Sequence, residues 1–212
     1  MKIDELLKNF DFDEKTTIKI KKLSQNKDNH IKENLKYFEN INYSKSEIVQ
    51  MLTKYYNIIN YDTTFIEEKI NYFKSLKLKN EEIKKIIISK PTILAYDLST
   101  LKSKIEIFQK YCFKEDEINQ IIIKMPSILS FSYENLNKKL KILNSLNIKD
   151  IILHNPKLVF IQSETLTLAR YKYLKEINFE FNQTSIRYLF SDNKKFTTKF
   201  KITKEELLKK YQ

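Results

Sequence analysis

Between Asn80 and Leu146 a pattern of about 35 residues is written twice in succession, and that repetition limits what the chain can fold into. One copy reads NEEIKKIIISKPTILAYDLSTLKSKIEIFQKY and the other EDEINQIIIKMPSILSFSYENLNKKLKILNSL. With Pro91 set on Pro126 the apolar skeleton coincides: Ile83 falls on Ile118, Leu94 on Leu129, Tyr96 on Phe131, Leu101 on Leu136, Ile105 on Leu140 and Phe108 on Leu143. Ahead of the proline, Ile83, Ile86 and Ile87 have the spacing of an amphipathic helix. Proline disfavours helix at the residue before it, so this first helix stops there. Pro-Thr-Ile-Leu or Pro-Ser-Ile-Leu then leaves room for a short turn or one 3₁₀ turn before Asp97 or Ser132, whose side-chain oxygens cap a second helix. Two such helices cannot bury both apolar faces alone, so successive units must stack into an all-α solenoid. No stretch shows strand alternation bounded by glycine turns.

The register extends in both directions. One step upstream, Ile48, Ile59, Tyr61, Asp62, Ile66, Ile70 and Phe73 fall under their counterparts, with Tyr56 in place of the proline. A further step places Ile31, Leu35 and Phe38, while Asp13 to Ser24 matches poorly, as a terminal capping repeat does. Downstream, Pro156 lies only 30 residues after Pro126, so this unit has a shortened first helix or connection, and Ile148, Val159, Ile161 and Leu166 keep the pattern. The amphipathic start Ile3, Leu6, Leu7, Phe10 reads as a capping helix, giving a capping region over 1–29 and one continuous repeat domain over 30–212. The tail ends in a helix capped at Thr203, with Glu206 in the capping-box position.

The Pro-x-x-Leu step, the leucine ten positions on, the short spacing to the next helix and the segment IRYLFSDNKKF (Ile186 to Phe196) resemble the mitochondrial transcription termination factor (mTERF) family over Lys45 to Gln212. That resemblance implies an α-solenoid of units made of two α-helices and a 3₁₀ turn, whose concave groove lies along double-stranded nucleic acid, with a role in transcription regulation or termination. The chain departs from the family in having no glycine; where a glycine often follows the second helix it has Lys77, Asn147 or Asn178. Asn tolerates the left-handed conformation such helix ends adopt.

Zero glycines also remove the phosphate-binding loop, the dinucleotide fingerprint and the nucleophile elbow. The one cysteine, Cys112, reads as a buried inert thiol near a helix end, and His30 and His154 have no cluster at metal spacing. The acidic pairs Glu67-Glu68, Glu81-Glu82 and Glu205-Glu206 fall at or near helix starts, where the macrodipole favours them. The expectation is a binding protein with no enzyme activity, cofactor or metal. No run of 18 apolar residues is present, and the acidic start MKIDELLKNFDFDEK has neither a secretory nor a transit character; cytoplasm is expected, or an organelle in a processed form. Charged ends (Asp4, Glu5, Lys8; Lys209, Lys210) favour a monomer.

A net charge of +12 suits an anionic partner, yet only Arg170 and Arg187 among 39 basic residues are arginine, and lysine solvates helix faces in any AT-rich composition. Position decides. Thirteen residues after the proline position stand Lys69, Lys104 and Lys139, inside the apolar arc of the second helix. Either their stems pack between repeats while the heads reach water, or they form a ladder of charge along a phosphate backbone. In the next unit the equivalent is Ala169, followed by Arg170, where the resemblance implies a basic contact. Arg187, with a fork suited to a guanine edge or a phosphate, and Lys194 and Lys195 in the basic tail complete the candidate nucleic-acid contacts. Tyr61, Tyr96 and Phe131 share one position and read as core. Two functions remain: double-stranded DNA binding, with structured RNA as a near variant, or a scaffold for a protein partner. Convergence of the cations favours the first, an even scatter the second.

Overall fold

A computed structural model describes residues 3–23, 28–181 and 185–211; the side chains of Ile3, Asp4, Leu6 and Asp28 lie outside that description, as do Met1, Ser24 and Gln212. Among the described residues every regular element is a helix. The chain forms two compact bodies, Met1–Lys104 and Ile105–Gln212. The first holds α1 (Ile3–Lys8), α2 (Glu14–Leu23), α3 (Asp28–Asn40), α4 (Lys45–Lys54), a 3₁₀ turn at Tyr56–Asn60, α5 (Thr63–Ser75), α6 (Asn80–Ser89), a 3₁₀ turn at Pro91–Ala95 and the start of α7 (Leu98–Lys110). The second continues with α8 (Glu115–Lys124), a 3₁₀ turn at Pro126–Ser130, α9 (Tyr133–Ser145), α10 (Lys149–His154), α11 (Pro156–Ile161), α12 (Glu164–Glu176), a 3₁₀ turn at Ile186–Phe190, α13 (Asn193–Phe200) and α14 (Lys204–Tyr211). Within 1–29 the described residues form α1, α2 and the start of α3, and α2 packs on the turn Tyr56–Asn60.

Each step of the repeat has a local cause. The first helices carry a glutamate at their third position that accepts from the N–H before the helix: Glu47 from Ser44 at 2.8 Å, Glu82 from Lys79 at 2.7 Å and Glu117 from Lys114 at 2.7 Å. They end at a residue outside the helical region, Lys90 (φ −138°, ψ 74°) and Met125 (φ −142°, ψ 72°) before prolines, and Tyr55 (φ −152°, ψ 80°) before Tyr56. The turn survives without its proline because its third and fourth residues, such as Ile58 and Ile59 or Ile93 and Leu94, are fully buried. Each of these contributes roughly 1.5–3 kcal/mol. Ser132, Ser163 and Asp192 then accept from the third N–H of the following helix at 3.2, 3.3 and 2.8 Å. The shortened first helix is the six-residue α10, and the tail capping box forms as read, Thr203 N–H to Glu206 at 2.7 Å.

The second helices α3, α5, α7, α9 and α12 are each 13 residues long, and all stop on a left-handed residue: Asn42 (φ 67°), Lys77 (63°), Cys112 (60°), Asn147 (52°) and Asn178 (53°). The next residue reaches back five positions, as Leu78 N–H does to Phe73 C=O at 3.3 Å and Phe113 N–H to Phe108 C=O at 3.1 Å. Its side chain seals the end, Tyr43 edge-on to Phe38 at 5.4 Å and Phe113 to Phe108 at 5.7 Å. The absent glycines are therefore replaced without losing the cap, at a cost of about 1–2 kcal/mol where the residue is neither Gly nor Asn. Cys112→Gly is expected to raise stability by about 1 kcal/mol and Asn147→Gly by less. Urea midpoints for the two variants check this; equal shifts, or a loss in Cys112→Gly, refute it.

Three expectations change. Cys112 is exposed, because the left-handed stop turns its side chain away from the core. Tyr61, Tyr96 and Phe131 are half-buried, and the Tyr61 hydroxyl bonds Tyr55 at 2.8 Å. Glu67 and Glu68 lie on the second turn of α5, where Glu68 pairs with Lys69 at 3.0 Å.

Candidate nucleic-acid interface

The ladder position is the seventh residue of each 13-residue helix; it is half-buried at Lys139 and buried in the other four. Asn34, Lys69, Lys104 and Arg170 retain 1%, 0%, 5% and 1% of their exposure. Asn34 in α3 donates to the Ile59 and Tyr61 carbonyls at 2.8 and 2.9 Å, the fourth residue of the following turn and the residue after it. Arg170 in α12 does the same one turn further on, to the Leu189 and Ser191 carbonyls at 3.1 and 2.6 Å. Lys139 in α9 donates to the Gln162 carbonyl at 2.7 Å and pairs with Glu164 at 3.2 Å. Lys69 meets Glu68 and the face of Phe65, and Lys104 lies 4.6 Å over the Tyr96 ring, where burial holds its ammonium below the usual lysine range. Most of this side-chain ladder thus ties repeats together from inside, and the phosphate-backbone role expected of Lys69, Lys104, Lys139 and Arg170 gives way to packing. The apolar arc already argued for burial; what single-sequence reading lacked was the acceptor, two carbonyls left over where a five-residue turn meets the next helix.

Arg170 belongs to this set although it stands one place late in the count from the proline. α11 takes six residues as a short α-helix where the other turns take five, and the additional residue shifts the register by one. Its side chain, Ile161, points outward at 74% exposure.

Other lysines are engaged in the same way. Lys54 and Lys124 donate to the Ile88 and Leu153 carbonyls at 2.7 and 2.6 Å, at the negative ends of α6 and α10. Lys84 reaches Glu47 at 3.2 Å and Lys149 reaches Glu117 at 2.7 Å.

Against that background one region of the second body stands out. α11, the turn Ile186–Phe190 and α13 border an open cleft of about 1460 Å³ lined by Lys157, Arg187, Lys194, Lys195 and Lys199 against a single carboxylate, Asp192. All five cations are exposed. Lys195 leans on Asp192 at 3.4 Å in an exposed pair, and no carboxylate pairs with the other four among the described residues. The placement follows from the turn. Leu189 and Phe190 are buried, so Arg187 faces out; Asp192 caps α13, Phe196 anchors it inside, and Lys194, Lys195 and Lys199 take the open face. The Lys195 N–H holds the Asp192 carboxyl below its ordinary range. Three candidate contacts from the sequence, Arg187, Lys194 and Lys195, are brought together here.

Lys157 was missed, although the sequence carried its signal. It is the second residue of its turn, as Arg187 is of the next, where earlier turns have Asn57, Thr92 and Ser127. Cations enter this outward position only in the last two turns.

Among the described residues no helix is long and apolar enough to cross a membrane, and no group of three or more His, Cys, Asp or Glu side chains is placed to hold a metal ion. The family model mTERF matches residues 13–197. No curated protein matches the chain.

Proposed function

The chain belongs to the mTERF family, a family of helical-repeat proteins associated with nucleic-acid binding and transcription, and from that premise we propose that it binds double-stranded nucleic acid, DNA first, through the basic cleft of its second body. Its role on this reading is in transcription regulation or termination, as a monomer and without catalysis. The observation that carries the reading is the cleft lining, five exposed cations to one carboxylate, set against Lys54, Lys124 and Lys149, which are tied to carbonyls or a glutamate. Affinity on such a surface comes from counterions released as phosphates are neutralised, with a slope of about −0.9 per contact on duplex DNA. Lys157, Lys194, Lys195 and Lys199 act as point charges. Arg187 adds a planar fork that takes a phosphate or a guanine edge in two bonds, which lysine cannot reproduce.

The test is binding of duplex DNA, duplex RNA and single strands at several salt concentrations, with Arg187→Lys beside the parent. Duplex DNA is expected to bind most tightly, with affinity falling steeply in salt, and Arg187→Lys to bind about tenfold more weakly although its charge is kept. Preference for duplex RNA would assign the cleft to structured RNA. Binding that ignores salt would remove the phosphate reading and leave a scaffold for a protein partner, with Ile161 exposed at the cleft edge as its apolar contact.

A further inference from the structure

The cations of the cleft stand on two walls, Lys157 on α11 and Arg187, Lys194, Lys195 and Lys199 on the turn and α13, and both walls meet at one carbonyl. The Leu189 oxygen accepts from Gln162 Nε2 at 2.8 Å and from Arg170 Nη1 at 3.1 Å. Gln162 directly follows α11, and its own carbonyl is held by Lys139. Arg170 goes on to the Ser191 carbonyl at 2.6 Å and to Asn193 Oδ1 at 2.9 Å, bonding on both sides of the Asp192 cap, with its guanidinium 4.3 Å over the Phe196 ring. Each residue it grips is close in sequence to a cleft cation: Leu189 lies two after Arg187, Ser191 three before Lys194, Asn193 adjoins Lys194, and Phe196 adjoins Lys195.

We infer that Arg170 and Gln162 are positioning residues that set the separation of the two cationic walls, so that phosphates meet Lys157, Arg187, Lys194 and Lys195 in one register. The inference rests on the nucleic-acid reading and deepens it. A cation with 1% exposure releases no counterions of its own; it acts through the segment it holds. The planar fork suits this, since its donors diverge to two carbonyls and an amide at once, and an ammonium on a flexible stem cannot span them. Gln162 gives the cross-strut from the other wall and carries no charge, so its removal separates geometry from electrostatics.

Two measurements test this on Arg170→Lys and Gln162→Met, neither of which removes a charge. The first needs no nucleic acid: spin labels on Lys157→Cys and Thr198→Cys in a Cys112→Ser background report the distance across the cleft. A narrow distribution is expected in the parent and one about twice as wide in each variant. The second is duplex affinity against salt in unlabelled protein, expected to fall about tenfold with a slope shallower by about one. Thermal melting confirms that both variants are folded. Variants that keep the parent's distribution overturn the inference, as do variants that widen it yet keep the parent's affinity and slope. A parent that binds no duplex would instead fail the nucleic-acid reading, and the label distances then decide the positioning role on their own.

Discussion

Neutralising Arg187, Lys194 and Lys195 together with alanine is expected to lower duplex affinity by about two to three orders of magnitude at 0.1 M salt. Each lost phosphate contact removes about 0.9 from the salt slope, which at that concentration is a little under tenfold in affinity, and three contacts compound. Stability should hardly move. All three side chains are exposed, and the Lys195–Asp192 pair, with both partners more than half in solvent, contributes at most about 1 kcal/mol. Asp192 keeps its cap, because it accepts from the Lys195 backbone N–H at 2.8 Å, which alanine retains. Titration of a fluorescent duplex at several salt concentrations, with thermal melting as control, decides the matter. A folded triple variant with the parent's slope would show that phosphates do not lie along this cleft.

The fold was legible because its determinants are local and recur. Helix starts are marked by a glutamate at the third position, helix stops by proline or by a residue that accepts the left-handed conformation, and the buried skeleton repeats with the chain. Even with Tyr56 in place of proline the turn is kept, since Ile58 and Ile59 carry the burial that holds it. The site was only half legible. Position in the repeat correctly set Lys69, Lys104 and Lys139 on the apolar arc, but periodicity gives a direction and not a partner. Whether a buried polar side chain meets a phosphate or a carbonyl depends on the following turn, 27, 23 and 21 residues on for Asn34, Lys139 and Arg170. Arg170 shows the same limit in register: a single additional residue, Ile161, moved it into the buried set, and only the length of α11 reveals that. Cys112 erred for the opposite reason, because hydrophobic character was read without the φ of 60° that turns the thiol outward.

The members of the buried ladder should also respond differently to the same substitution. Arg170→Met is expected to destabilise the protein by about 2 kcal/mol, because the half-buried Ser191 carbonyl loses the donor that satisfies it and a buried unsatisfied acceptor costs about 1–3 kcal/mol, while the exposed Asn193 amide regains water. Loss of the stack on Phe196 adds to this. Burial already depresses the Arg170 guanidinium to a pKa of about 10, so its desolvation is a standing penalty that the three hydrogen bonds offset. Among the described residues Lys69 has no carbonyl partner of this kind. It is fully buried against Phe65 with the half-exposed Glu68 as its ion pair, so Lys69→Met strands little: Glu68 regains water and an apolar side chain of similar length fills the site. That variant is expected to match the parent or gain about 1 kcal/mol. Urea unfolding followed by helical dichroism measures both. A loss above about 2 kcal/mol in Lys69→Met, or below about 1 kcal/mol in Arg170→Met, would mean that carbonyl bonding does not separate the ladder's members and that burial alone sets their worth.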